Sequence, residues 1–314
     1  MSAVPPALRE GRHVSAGHGY HWELHGTGGR ETVCLLNGLA MSTRSWLGFL
    51  PELTPAYDVV LFDYLGQGAS DDAEVRGGAI PAFGDALAGI LDDAGLGRLH
   101  AVGVSYGGFV AADFARLHGD RLHTLTLSGV LLTREMLFSM YQDLSLRFYR
   151  GGPELFDLYT RYLYEKIFGE AFVTRVGEKL ESMRSNFRDR YRDRIEALVR
   201  LTEAQDPFFG SLEANAPRYA AIPCPVLVLA GAEDRAIPPS QQRKITAVIP
   251  RARYEEIEGA GHVVYLERPD FFWPRVRRFF ASKKSTTTSV TILPLQEPLG
   301  TTRRSCTQAC GSDD

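Results

Sequence analysis

Three residues stand where their surroundings could turn a hydroxyl into a nucleophile. Gly103-Val104-Ser105-Tyr106-Gly107 has the form G-x-S-x-G. It follows an apolar run, Leu99–Val104, and opens a helical pattern, Gly107–Leu117. A strand that turns straight into a helix leaves no room for side chains at the flanking glycines, and the strain presents the serine hydroxyl above the carboxyl edge of a sheet. The alternative is a glycine-rich loop with an incidental serine. A serine hydroxyl attacks poorly until a neighbouring base takes its proton. Of the eight histidines, His262 alone occupies a glycine-flanked loop between a strand pattern and the last helix. His13, His18, His21 and His25 belong to an N-terminal hairpin, and His100, His118 and His123 lie on or beside strands and helices near the strand of Ser105. Structural or surface roles suit those seven.

The base needs a carboxylate that fixes its tautomer and stabilises the imidazolium. Asp234 follows the strand before that of His262, 28 residues upstream. Glu233, beside it, points the other way and is the alternative. The strand ending at Ser128-Gly129-Val130 offers no carboxylate. Acyl transfer also needs donors for a tetrahedral oxyanion. Leu36-Asn37-Gly38-Leu39 ends the first parallel strand at the same sheet edge, so the backbone N–H groups of Leu39 and Tyr106 are the expected donors, with Asn37 and Gly38 supporting the loop. Asn-Gly also suits a plain turn, because both residues tolerate positive φ.

The elements that must position these groups are legible as alternation. Thr32–Leu36, Asp58–Phe62, Leu99–Val104 and Leu122–Leu127 are short apolar runs that read as strands buried on both faces. Ile80–Leu91 and Gly107–Leu117 carry helical spacing between them, and His13–Ala16 with Tyr20–His25 predict a hairpin at the sheet edge. The pattern resumes with a strand at Val226–Ala230, a helix at Ser240–Val248, a strand at Ala252–Ile257 and a helix at Pro269–Phe280. An α/β, mostly parallel, doubly wound sheet is the expected fold class. Between its halves, Leu131–Ala216 reads as consecutive amphipathic helices holding 14 of the chain's 33 aromatic residues, with 13 basic and 14 acidic side chains. The expected organisation is a core in two parts, 1–130 and 217–281, a helical insertion at 131–216, and a disordered tail at 282–314.

Composition narrows the rest. The 314 residues carry a net charge of −3, with 44% hydrophobic and 23% charged residues, which excludes a basic nucleic-acid footprint and wholesale disorder. No run approaches the roughly 20 apolar residues of a membrane span. Met1–Arg12 contains Pro5 and Pro6 and no secretory apolar segment. The four cysteines, Cys34, Cys224, Cys306 and Cys310, suit a reducing compartment and lack the spacing of a metal site. A cytoplasmic protein without metal or organic cofactor is the expectation.

Asn37-Gly38 with Trp46 downstream, Asp63-Tyr-Leu-Gly-Gln-Gly-Ala-Ser70, the Ser105 elbow, Asp234 and the Gly261-His262 loop together resemble the α/β-hydrolase superfamily over residues 12 to 281. The resemblance implies an α/β-hydrolase fold, makes the 131–216 insertion a lid over an acyl pocket, and makes Asp63–Ser70 a structural loop. It implies a serine hydrolase cleaving a small apolar acyl ester through Ser105, His262 and Asp234. Most of the group carry His-Gly where this chain has Asn37-Gly38. Asn37-Gly38-Leu39-Ala40-Met41-Ser42-Thr43 is also similar to the corresponding stretch of bacterial acyltransferases that move 3-hydroxyacyl chains from acyl carrier protein. An acyltransferase is therefore one alternative, and a non-enzymatic ligand-binding protein on the same fold is the other. Serine rather than aspartate at 105 speaks against relatives with a carboxylate nucleophile.

Overall fold

In the central strands apolar side chains occupy consecutive positions, so each strand must bury both of its faces. In the computed structural model, which describes residues 6–75 and 77–282, it does so by period-2 alternation. Cys34, Leu36, Val60, Phe62, Ala101, Leu125, Leu127, Val226 and Val228 pack on the sheet's first face. Their neighbours Val33, Leu35, Val59, Leu61, Val102, Val104, Leu227 and Leu229 pack on the second.

The strands are β1 (Arg9–Ser15), β2 (His18–His25), β3 (Thr32–Leu36), β4 (Asp58–Phe62), β5 (Leu99–Val104), β6 (Leu122–Ser128), β7 (Val226–Gly231) and β8 (Ala252–Ile257). They form one eight-stranded sheet in the order β1-β2-β4-β3-β5-β6-β7-β8. The β1/β2 hairpin joins antiparallel, β2 pairs antiparallel with β4, and every pairing from β4 to β8 is parallel. The expected fold class is thus the observed one. Helices α1 (Ala79–Asp93) and α2 (Tyr106–Leu117) cover the first face through Phe83, Leu87, Phe109 and Phe114. The last helix of the described residues (Pro269–Ala281) covers the second, with Phe272, Trp273, Val276 and Phe280.

From β3 the chain runs to β4 on one side and then to β5 on the other. Loops leaving β3 and β5 therefore diverge at the carboxyl edge and open a crevice, the usual ligand position in such sheets. Asn37-Gly38 leaves β3 there, and Ser105 leaves β5.

Between β6 and β7 lie six helices: α3 (Met136–Arg150), α4 (Gly152–Ile167), α5 (Glu170–Val176), α6 (Lys179–Tyr191), α7 (Ile195–Glu203) and α8 (Asp206–Ala220). Tyr149, Phe156, Tyr159, Tyr191, Leu198 and Val199 form a small core of their own. Phe138, Leu201, Phe208, Leu212 and Tyr219 fasten these helices onto the sheet's first face. Helical structure thus runs four residues past the expected limit at Ala216. Two further differences are local. The helix expected at Ser240–Val248 is two short ones, α9 (Pro239–Arg243) and α10 (Ile245–Val248), and Thr43–Glu52 is a run of 3₁₀ helix that periodicity did not reveal. The described residues close with α11 (Val264–Glu267) and α12, the Pro269–Ala281 helix. The tail, with Cys306 and Cys310, lies outside the described residues. Cys34 and Cys224 are buried free thiols.

Candidate active site

Ser105 sits at the β5–α2 junction with φ 51° and ψ −124°, a left-handed backbone that a non-glycine residue adopts only when its surroundings enforce it. A Cβ on Gly103 would stand 2.5 Å from the Gly107 carbonyl and 2.7 Å from the Gly108 Cα. Strand and helix meet too closely for any side chain, which is the constraint read from the G-x-S-x-G spacing. The Ser105 N–H donates to the Ser128 carbonyl at 2.8 Å, fixing the elbow to the neighbouring strand.

His262 lies in the loop between β8 and α11. Its Nδ1 is 2.8 Å from Asp234 Oδ2, and both side chains are buried. Gly129, at the end of β6, has φ 64°, and a Cβ there would meet His262 Cε1 at 2.6 Å. The ring therefore lies over the carboxyl end of β6, next to the strand that carries Ser105. Burial alone lowers the histidine pKa, but the charge and hydrogen bond of Asp234, with a smaller contribution from Glu267, outweigh it and leave His262 above the ordinary value of 6.5. Asp234 Oδ1 accepts the N–H groups of Ala236 and Ile237 at 2.9 and 2.8 Å, so its second oxygen is left to face the imidazole. Glu233 does point elsewhere, its carboxylate accepting the Glu170 N–H at the start of α5.

Asn37 is wholly buried. Its Nδ2 donates to the Phe62 carbonyl at 2.8 Å, and its Oδ1 accepts from Trp46 Nε1 at 2.7 Å. The side chain is thus a brace between β4 and the 3₁₀ run, and the following residues are held at a fixed height over the sheet. A Cβ on Gly38 would sit 3.6 Å from Ser105 Cβ, so the loop closes directly on the serine. Ala40, at φ 60°, turns the loop back, and Tyr191 of α6 donates to its carbonyl at 2.6 Å. Among the described residues, neither the Leu39 nor the Tyr106 N–H meets an acceptor. Both residues line one cavity with Ser105, and two unpaired amides at a nucleophile are what an oxyanion needs.

Sequence reasoning did not single out two residues that hold this set together. Gln242 of α9, fully buried, donates to Asp234 Oδ2 at 2.9 Å and to the Ile237 carbonyl at 2.7 Å, while its Oε1 accepts the Gly129 N–H at 3.0 Å. Glu267, also fully buried, accepts from Gly169, Gly261 and Val263 at 2.7, 2.9 and 3.0 Å, clasping the His262 loop to the segment after α4. The His262 N–H itself donates to Ile167 at 2.7 Å. A lone Gln on a surface-patterned helix and a lone Glu five residues past a histidine carry no spacing signal that marks them.

A cavity of about 240 Å³ opens on Ser105 and His262. Gly38 to Met41 form one wall, and α3, α4 and α6 roof it with Phe138, Tyr141, Tyr149, Tyr159, Leu163 and Phe187. Among the described residues, no Asp, Glu, Lys or Arg lines it.

The family model for the α/β-hydrolase fold matches residues 31–269. This chain is an α/β-hydrolase-superfamily protein. RutD of a Caulobacter species, provisionally named a carbamate hydrolase, is 27% identical over 277 residues, 84% of this chain and 97% of that protein. A 2-hydroxy-6-oxononadienedioate/2-hydroxy-6-oxononatrienedioate hydrolase of Burkholderia vietnamiensis is 28% identical over 278 residues, 82% of this chain and 90% of that one. The crystal structure of an α/β-hydrolase enzyme from a Medee basin deep-sea metagenome library matches at a TM-score of 0.79 and 21% identity, covering 90% of this α/β hydrolase and 100% of the other. Among the described residues, no helix of this α/β hydrolase is long and apolar enough to cross a membrane.

Proposed function

We propose that the protein is a serine hydrolase that cleaves carboxylic esters through an acyl-enzyme, with the helices of 131–216 acting as its lid. The observation that carries this reading is the convergence of four devices on one cavity: the strained Ser105 elbow, the buried His262–Asp234 pair, the unpaired Leu39 and Tyr106 amides, and an uncharged aromatic wall. His262 removes the Ser105 proton as Oγ bonds to the substrate carbonyl carbon. The carbonyl oxygen takes the negative charge and is held by the two amides, each contributing about 3 kcal/mol if it matches donors of this kind elsewhere. The imidazolium, steadied by Asp234, then protonates the leaving alkoxide, and the C–O bond breaks. In the second half the same histidine deprotonates water, which attacks the acyl-enzyme and releases the acid and the free serine.

The curated relatives are named for a carbamate and for dicarboxylates, so bond and substrate are what the pocket decides. A dianion needs cationic partners in so buried a site. Among the described residues no Lys or Arg lines the wall, which favours a neutral ester. Transfer to another acceptor uses the same acyl-enzyme, and product analysis separates the two: free acid for hydrolysis, a new ester or thioester for transfer.

The test is release of p-nitrophenol from an ester series, acetate through dodecanoate, by the wild type and by Ser105→Ala. The expected outcome is turnover by the wild type and none by the variant, which retains the wild-type circular dichroism. Full activity in Ser105→Ala contradicts the assignment.

A further inference from the structure

The cavity roof is not uniformly apolar. Tyr149 and Tyr159 are buried and hydrogen-bonded to each other, hydroxyl to hydroxyl, at 2.8 Å. Thr202, only 3% exposed, stands close enough to the Tyr149 hydroxyl to ease its ionisation, but its Oγ1 makes no hydrogen bond of good geometry. Gln142 Nε2 is also buried and unpartnered. All four residues line the cavity that opens on Ser105. Buried polar side chains nearly always find partners, and one without a partner points to a missing ligand group or water. A hydrocarbon chain seated here would cut these groups off from water and give nothing back, whereas an oxygen atom on the ligand would pair them.

Charge defines the class further. Among the described residues no Lys or Arg lines the wall, so a carboxylate would be desolvated without compensation. Burial holds the Tyr149 and Tyr159 hydroxyls protonated well past the ordinary tyrosine range, so they remain neutral donors across working pH.

We propose that the substrate carries, besides its scissile carbonyl, an uncharged hydroxyl or ketone oxygen that seats on the polar tier formed by Tyr149, Tyr159, Thr202 and Gln142. This rests on the reading of Ser105 and its cavity as the reacting site, and it names the substrate class of that site.

The experiment compares kcat/KM of the full-length protein for two matched ester series. One is p-nitrophenyl hexanoate, 6-hydroxyhexanoate, 5-oxohexanoate and the glutarate monoester; the other places the same hydroxyl, ketone or carboxylate in the alcohol. The hydroxyl or ketone substrate is expected to exceed its plain counterpart by at least about tenfold in one of the series, because a site built around hydrogen-bonding groups rejects analogues that leave them unpaired. Thr202→Val is expected to collapse that ratio, and Tyr149→Phe serves as the second variant if Thr202→Val does not fold. Equal rates across both series, a preference for the carboxylate, or ratios unmoved in the variants overturn the proposal. Binding of hexanamide, 6-hydroxyhexanamide and 5-oxohexanamide to Ser105→Ala, measured by calorimetry, separates the two claims. If the wild type turns over no ester, the hydrolase reading fails, and the tier then stands or falls on whether the oxygenated amides bind more tightly than hexanamide.

Discussion

At the residue scale, the proposed activity turns on how a buried imidazole is kept both basic and oriented. Asp234 gives one oxygen to two backbone amides and turns the other to Nδ1, so the second nitrogen of His262 is the one free to take a proton. Because His262 titrates above 6.5 and must be neutral to act as base, kcat/KM for a non-ionising ester should rise with pH along a single limb whose midpoint lies above that value. Asp234→Asn should move the limb downward and lower kcat by roughly 10⁴-fold, the loss seen when such a carboxylate is neutralised in a comparable triad. A pH-rate profile of both proteins checks the pair of claims, and an unmoved limb would count against the partnership. The brace at Asn37 shows itself in stability instead. Asn37→Ala leaves the Trp46 Nε1–H buried without its partner and removes a donor from the Phe62 carbonyl, so a denaturant titration should show a loss of about 1–3 kcal/mol. Ser105, His262 and Asp234 were legible because glycine-flanked loops, strand context and chain order all single out the same three positions. The bracing role of Asn37 was not, since a buried side chain linking two loops leaves no periodic trace.

At the scale of elements, the sheet was readable and its fastenings were not. Strands buried on both faces announce themselves as unbroken apolar runs, and Thr32–Leu36, Asp58–Phe62 and Leu99–Val104 fall where those strands were expected. The 3₁₀ run at Thr43–Glu52 contains Gly48 and Pro51 and has no α-helical period, so only the packing of Trp46 and Leu50 under the sheet reveals it. The elbow is an element junction, and its test belongs here. Gly103→Ala should be destabilised by about 1–3 kcal/mol, because its Cβ must displace the backbone of α2. Thermal unfolding of the variant reads that loss, and an unchanged midpoint contradicts the tight turn. Glu267 joins two segments through three backbone amides on one carboxylate. Glu267→Gln replaces an acceptor oxygen by an NH₂ group facing amide donors, so kcat should fall while KM changes little. Its pH limb should also shift downward, since the negative charge of Glu267 contributes to raising His262. A structural role confined to stability would leave that limb in place.

At the scale of the whole molecule, the reversal of strand order between β3 and β5 creates the crevice, and six helices inserted after β6 roof it. The roof and the machinery share contacts: Tyr191 reaches the Ala40 carbonyl, while Ile167 and Gly169 hold the His262 loop. Composition foretold an aromatic insertion, but not that its tyrosines would line the cavity that opens on Ser105, because chain order does not encode which side of a helix meets a cavity. All three scales require that Ser105 become covalently acylated. The most direct measurement is intact-protein and peptide mass spectrometry after brief exposure to a fluorophosphonate, with and without competing ester. One adduct is expected, on the peptide containing Ser105, slowed by the ester and absent from Ser105→Ala. No adduct on the folded protein, or an adduct on another residue, would contradict a nucleophilic Ser105.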